Sequence, residues 1–235
     1  MIRAVLFDLD DTLVDHQHAH RAALAGVREH FAALQAVELD ALLAESTRVL
    51  ACIHLDVQLG RIAIDEARIA RYRQLFAFAG VDDSSESAAA ADLSRRLYRD
   101  NRRCVTGACE LLALISQRAS IAVVTNNTTA EQTEKLARFG LAPYVRALVT
   151  SADVGVAKPA RAMFDTALAR LECAANEAVM VGDSLEHDIR GALDAGIAAV
   201  WLDRFAQATG NEAFGVLRSL APAEIAAQRI LGRAA

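Results

Sequence analysis

The clearest shortage in this 235-residue sequence is lysine. Its 25 basic residues comprise 23 arginines and only two lysines, Lys135 and Lys158. Arginine is therefore the ordinary cation of the chain. Because a compact ammonium group and a forked guanidinium group are not interchangeable, each lysine position is informative.

The sequence also lacks an excess of positive charge and any long apolar run. It carries 30 acidic residues against 25 basic ones, for a formal charge of −5. This balance disfavours polymeric nucleic acid and anionic membrane surfaces as partners. The longest apolar runs, such as residues 197–202, are far shorter than the roughly 18 residues of a membrane-spanning helix. The short stretch before Asp8 leaves no room for a signal-peptide core, so we expect a cytoplasmic location.

Cysteine patterns typical of metal or redox sites are absent too. The four cysteines form neither C-x-x-C pairs nor ligand spacings with histidine, and they are Cys52, Cys104, Cys109 and Cys173. We interpret them as reduced thiols without a function. Nothing in the sequence indicates an oligomeric state.

Short apolar runs alternate with segments of helical period. The runs, which read as buried strands, are residues 3–7, 121–125, 145–150, 178–182 and 197–202. The helical segments are 107–118, 129–139, 160–171 and 186–195. Strands that alternate with helices predict an α/β fold with a doubly wound parallel sheet.

A long helical insertion separates the first strand from the second. Apolar residues recur at helical intervals in residues 21–34, 39–55, 64–78 and 88–103. We therefore predict an α/β core formed by residues 1–15 and 105–235, with an α-helical subdomain at residues 16–104.

Polar residues follow four of the predicted strands. In open parallel sheets, ligands bind beyond the carboxyl ends of the strands, so these residues should share one site. Each group alone is a weak signal, but their joint appearance after successive strands is not. The residues are Asp8 and Asp10, Thr125 and Asn126, Lys158, and finally Asp183 and Asp188.

Three of these carboxylates, from Asp8, Asp10 and Asp183, would repel one another without a counter-charge. Mg²⁺ suits a small carboxylate cluster, because it prefers oxygen ligands and bridges to substrate phosphate. Together with Lys158 and Thr125, this set matches the needs of phosphoryl transfer.

The chain resembles the haloacid dehalogenase (HAD) superfamily, and specifically its Mg²⁺-dependent phosphatases. The four family motifs occur in order: D-x-D-x-T at residues 8–12, Thr125, Lys158, and Gly182-Asp183-Ser184 followed by Asp188. The resemblance implies a Rossmann-like core, with the helical insertion as the cap of the family. Asp11 departs from the glycine that is common at its position, a change we expect to be tolerated.

The resemblance also implies the role of each core residue. Asp8 would form an aspartyl-phosphate, while Asp10 would protonate the leaving oxygen and then activate water. Mg²⁺ would be held by the Asp8 carboxylate, the Asp10 backbone carbonyl and the Asp183 carboxylate, with Asp188 as an indirect or water-bridged partner.

The remaining residues would handle the phosphoryl group. Thr125 and the backbone N–H of Asn126 would orient its oxygens, and Lys158 would place a point charge beside it.

Several other chemistries occur in the same superfamily. Asp10 argues against a dehalogenase, which needs no acid there, and the absence of lysine before residue 135 excludes a Schiff base from the cap. Membrane ATPases fail for want of a membrane span, and a phosphomutase ranks as a distant third possibility.

We therefore expect a Mg²⁺-dependent phosphatase that acts on a small phosphorylated metabolite. A nucleotide, a sugar phosphate and flavin mononucleotide are all compatible with the motifs. The alternative from another class is a non-catalytic phosphate-sensing module.

Overall fold

The chain forms two compact units. The computed structural model describes residues 1–58, 61–82, 85–207 and 214–232. The first unit joins Met1–Asp15 to Cys104–Ala235, and the second is His16–Arg103. Val14 and Cys104 form an antiparallel bridge, which ties the two segments of the first unit together where the chain leaves and returns.

A parallel sheet is the framework of the first unit. Within the described residues it has six strands: β1 (Ala4–Phe7), β2 (Ser120–Thr125), β3 (Ala147–Thr150), β4 (Ala178–Gly182), β5 (Ala198–Leu202) and β6 (Gly215–Leu217). Their order is β3-β2-β1-β4-β5-β6, and every neighbouring pair is parallel. The predicted doubly wound α/β fold is confirmed, and β1 lies where the order of strands reverses.

The sixth strand is a correction to the sequence analysis, which identified only five. Strand β6 has three residues and begins at Gly215, so it is too short to show an apolar run. It forms because its backbone pairs with β5 in register, with Val200 opposite Gly215 and Leu202 opposite Leu217.

The second unit is helical. It contains α1 (His16–His30), α2 (Ala32–Gln35), α3 (Leu39–Gln58), α4 (Ile64–Phe78) and α5 (Ser87–Asp100). Its own core is built around Leu24, Leu42, Tyr72 and Phe76, with Phe31 packed edge-on against Phe76 at 5.6 Å between ring centroids. Among the described residues, no helix has the length and apolar character that crossing a membrane requires.

Helices cover both faces of the sheet. They are α6 (Ala108–Ser116), α7 (Thr129–Arg138), α8 (Ser151–Val154), α9 (Arg161–Leu171), α10 (Gly191–Asp194) and α11 (Ala223–Leu231). Because side chains alternate along a strand, Val5 and Phe7 pack with α6 and α11, while Ala4 and Leu6 pack with α9. Both faces are thus buried, as parallel sheets require.

Two helical details differ from the sequence analysis. The predicted helix at 186–195 is a wider π-helix at Leu185–Arg190 that continues into α10. Helix α11 was not predicted from the sequence; it supplies Ala223, Ala226 and Ile230 to the core beside α6.

Gly107, just before α6, tests this packing. Its φ is +88°, and an added Cβ would lie 2.7 Å from the backbone carbonyl of Leu220. We expect Gly107→Ala to lower the free energy of unfolding, measured in urea, by about 2 kcal/mol or more. Gly140 is the matched control, because its φ is +66° but no described atom lies within 4 Å of an added Cβ. Gly140→Ala should lower the free energy of unfolding by only about 1 kcal/mol. Equal losses in the two variants would contradict this account.

Candidate active site

The candidate active site lies at the carboxyl ends of β1 and β4, beside the reversal of strand order. Asp8 directly follows β1, and Asp183 directly follows β4. The Asp8 N–H donates to the carbonyl of Val181 at 2.9 Å, which keeps the two strand ends level. This pairing brings residues that are far apart in sequence to one edge of the sheet.

Three carboxylates converge there. Asp8, Asp183 and Asp188 each offer an oxygen, and these oxygens lie within 4.8 Å of one another. The N–H of Ser184 donates to Asp188 Oδ2 at 3.0 Å. Gly182 is required beside this cluster, because a Cβ on it would lie 2.3 Å from the same Asp188 oxygen.

Lys158 is the cation of the cluster. Its buried Nζ donates to Asp8 Oδ1 and to Asp188 Oδ1, each at 2.6 Å. The side chain of Asn126 holds the Lys158 backbone at both ends: Oδ1 accepts from the lysine N–H at 2.7 Å, and Nδ2 donates to the lysine carbonyl at 3.0 Å. Asn126 therefore fixes the segment from which the ammonium group extends.

Burial and like charge perturb these groups. Burial raises the pKa of Asp8 to about 7, with Lys158 opposing the rise and Asp188 adding to it. Burial, followed by the charges of Asp8 and Asp188, raises the pKa of Asp183 to about 8. Burial alone would lower the pKa of Lys158, but Asp188 and Asp8 outweigh it and hold that pKa above its usual range. The cluster thus holds more negative charge than one lysine neutralises.

A hard divalent cation fits this donor set. The three convergent groups are carboxylates, which are the ligands that Mg²⁺ prefers. The raised pKa values of Asp8 and Asp183 indicate that a further positive charge would stabilise the ionised cluster. Asp188 gives one oxygen to Lys158 and the other to the Ser184 N–H. Asp8 and Asp183 are therefore the carboxylates best able to hold a cation directly.

The Asp10 side chain lies outside this cluster. Both of its oxygens contact Lys135 Nζ, at 2.7 and 2.9 Å, and Oδ2 also accepts from Gln132 Nε2 at 3.0 Å. The same amide nitrogen donates to Thr125 Oγ1 at 2.7 Å. The predicted residues Asp10 and Thr125 are thus joined through Gln132, a residue that the sequence analysis did not single out.

Other contacts were also invisible in the sequence. Thr12 Oγ1 donates to Asp183 Oδ1 at 3.2 Å, and Trp201 Nε1 donates to the Asp183 carbonyl at 2.7 Å. Asp11 has a φ of +63°, the region that favours glycine, and its carbonyl accepts from Arg204 Nη1 at 3.2 Å. Aspartate tolerates this conformation better than most side chains, which fits the expectation that Asp11 can replace glycine.

One signal could have led to Lys135. It is one of only two lysines in an arginine-rich chain, and it lies on a helix that directly follows the Thr125 segment. Helical spacing places residues 131, 132 and 135 on one face.

Comparison with known proteins agrees with this geometry. The family model "haloacid dehalogenase-like hydrolase" matches residues 2–196. A ribulose-1,5-bisphosphate 5-phosphatase of Halopiger xanaduensis is 35% identical, over 90% of this chain and 89% of its own. A phosphoserine phosphatase of Thermus thermophilus is 34% identical, over 92% and 95%. The magnesium-bound structure of the HAD-hydrolase YfnB from Bacillus subtilis matches with a TM-score of 0.75 and 26% identity, covering 99% of each chain. Its relatives include phosphatases, in agreement with the resemblance that the four motifs indicated. The chain therefore belongs to the haloacid dehalogenase-like hydrolases and is an enzyme.

Proposed function

We propose that this enzyme is a Mg²⁺-dependent phosphatase that hydrolyses a small phosphomonoester through an aspartyl-phosphate on Asp8. The observation that carries the proposal is the buried Asp8 carboxylate at the strand reversal, with Lys158 Nζ 2.6 Å away. A second carboxylate, Asp10, lies two residues further along the same loop. A nucleophile and an acid/base on one loop, with a cation beside the nucleophile, suit phosphoryl transfer.

The first half-reaction forms the phosphoenzyme. An Asp8 carboxylate oxygen bonds to phosphorus as the bond to the ester oxygen breaks. Asp10 gives its proton to that departing oxygen, so the product leaves as an alcohol. Lys158 balances charge on the phosphoryl oxygens, which Thr125 and the backbone N–H of Asn126 orient.

The second half-reaction releases phosphate. Asp10, now a carboxylate, takes a proton from water as the water oxygen bonds to phosphorus. The bond between phosphorus and the Asp8 oxygen breaks, and both aspartates return to their starting states. Asp10 therefore acts as the acid in the first step and as the base in the second.

Mg²⁺ would be held by the carboxylates of Asp8 and Asp183 and by the backbone carbonyl of Asp10, with Asp188 as an indirect partner. When bound, it would neutralise negative charge shared by the carboxylates and the phosphoryl group. The bond from Trp201 to the Asp183 carbonyl and the bond from Thr12 to the Asp183 carboxylate support that ligand on two sides.

Substrate choice is assigned to the helical unit. The core residues recognise a phosphoryl group, which every phosphomonoester shares. The rest of the ester must therefore be recognised by residues outside the core motifs. We propose that the second unit is the cap of the family and makes this selection. Nucleotides, sugar phosphates and flavin mononucleotide stay candidates, and the cytoplasmic location stays a prediction.

Replacing the nucleophile tests the reaction. We expect Asp8→Asn to lower kcat/KM for p-nitrophenyl phosphate in Mg²⁺ by roughly a thousandfold or more, because the amide is a poor nucleophile. Asp194 is exposed on α10, so Asp194→Asn is the matched control and should keep wild-type activity. A fully active Asp8→Asn enzyme would refute the proposal.

Rapid quenching of the wild-type enzyme separates catalysis from sensing, since a phosphoenzyme that persists for many minutes would favour the sensing module.

Magnesium should stabilise the fold more at high pH. The folded pKa values of Asp8 and Asp183, about 7 and about 8, lie above the ordinary value of 3.8. Their contribution to stability is full below the ordinary value and is lost as pH rises through the folded values. Because Mg²⁺ replaces the retained protons, we expect its gain in Tm to be larger at about pH 8.5 than at about pH 6.

The control for this effect is the difference between metal-loaded and metal-free protein at each pH, which removes titrations unrelated to the site. Asp183→Asn should abolish most of the Mg²⁺-dependent gain, whereas Asp194→Asn should keep it. A gain that is independent of pH, or that survives in Asp183→Asn, would contradict the assignment of these ligands.

A further inference from the structure

Lys135 is a completely buried cation on α7. Its Nζ lies 2.7 and 2.9 Å from the two Asp10 oxygens and 3.1 Å from Glu131 Oε1. Lysine is almost never fully buried unless it is paired, so its place in the core depends on these carboxylates. A single ammonium group that contacts both oxygens restricts the rotation of the Asp10 carboxylate.

Gln132 on the same helix also contacts this carboxylate. Its buried Nε2 donates to Asp10 Oδ2 at 3.0 Å and to Thr125 Oγ1 at 2.7 Å. Its Oε1 is buried and has no hydrogen-bond partner in the part of the chain that the structure describes. If the Gln132 amide were reversed, Oε1 would face Asp10 Oδ2, and both atoms are acceptors. The contacts of Nε2 with Asp10 and Thr125 therefore determine the orientation of the amide.

Asp10 keeps access to solvent despite these contacts. The Lys135 side chain is 0% exposed, whereas the Asp10 side chain keeps 25% exposure. The carboxylate is therefore held by α7 and still has access to solvent. A group that must exchange protons with a substrate needs this combination of fixed direction and access.

We propose that Lys135 and Gln132 are positioning residues that hold the Asp10 carboxylate at the reacting oxygen, an inference that rests on the proposed phosphatase function. Both side chains are completely buried, so we assign them no contact with the substrate. They act by limiting where the Asp10 oxygens can lie, and Gln132 couples that position to Thr125, which orients the phosphoryl group.

The leaving group of the substrate distinguishes this role from a structural one. The leaving group of an alkyl phosphate such as glycerol 2-phosphate is a poorly stabilised alkoxide, so its departure as an alcohol needs the proton of Asp10. The p-nitrophenolate ion is stable enough to leave with little help. A misplaced Asp10 should therefore harm the alkyl ester more, whereas a general loss of folding should harm both esters equally.

The experiment measures kcat and KM for both esters in wild type, Lys135→Met, Gln132→Met and Asp10→Asn, all with saturating Mg²⁺. Arg138→Met is the matched control, because it removes an exposed cation from the same helix. We expect Lys135→Met to lower kcat for glycerol 2-phosphate roughly tenfold or more beyond its effect on p-nitrophenyl phosphate, with KM little changed. Gln132→Met should shift the ratio in the same direction by less, and Arg138→Met should not shift it.

A double variant provides the closing test. If Lys135 acts through Asp10, adding Lys135→Met to Asp10→Asn should cause no further change in the ratio of the two esters. If Lys135→Met does not fold, the ratio of kcat values for the two esters in Gln132→Met tests the positioning role instead. Equal losses on both esters in a folded variant would overturn the positioning role alone. A wild-type enzyme inactive on both esters, or a fully active Asp10→Asn enzyme, would overturn the proposed function and this inference with it.

Discussion

A buried ammonium group, Nζ of Lys158, lies 2.6 Å from carboxylate oxygens of both Asp8 and Asp188. These three residues come from three separate segments of the chain, and none could be buried alone without a large desolvation penalty. The end of β1, the segment that carries Lys158 and the π-helix that carries Asp188 must therefore meet for any of the three to be stable. The rest of the first unit, with its parallel strands and covering helices, serves to bring these charges into register.

Each of the two lysines pairs with a different carboxylate of the first loop. Lys158 pairs with Asp8, the proposed nucleophile, and Lys135 pairs with Asp10, the proposed acid/base. Both ammonium groups are buried and each contacts two carboxylates, a setting that suits a compact charge better than a planar fork. Both lysines of this arginine-rich chain are thus used as buried partners of carboxylates in the first loop.

Much of the fold was predictable because it depends on local pattern. The five longer strands and the helix at residues 64–78 appear where apolar periodicity indicated them. Strand β6 was missed because three residues carry no period. Helix α11 was missed although its buried residues recur at helical spacing, at positions 223, 226, 227 and 230. Asp8 and Asp183 were identifiable because each directly follows a strand, and strand ends meet at one edge of a sheet. Lys158 was identifiable from the order of the motifs, although the short helix α8 separates it from β3.

The sequence by itself determined the class of fold and the chemical types of the site residues, since both follow from periodicity and from the order of motifs. The tertiary structure alone decided which charges meet. Asp10 and Lys135 are 125 residues apart, and Asp8 and Lys158 are 150 apart. Pairing over such separations is set by the packing of helices on the sheet, which no local window of sequence contains. For the same reason the supporting contacts of Gln132, Thr12 and Trp201 emerged only when the chain was folded.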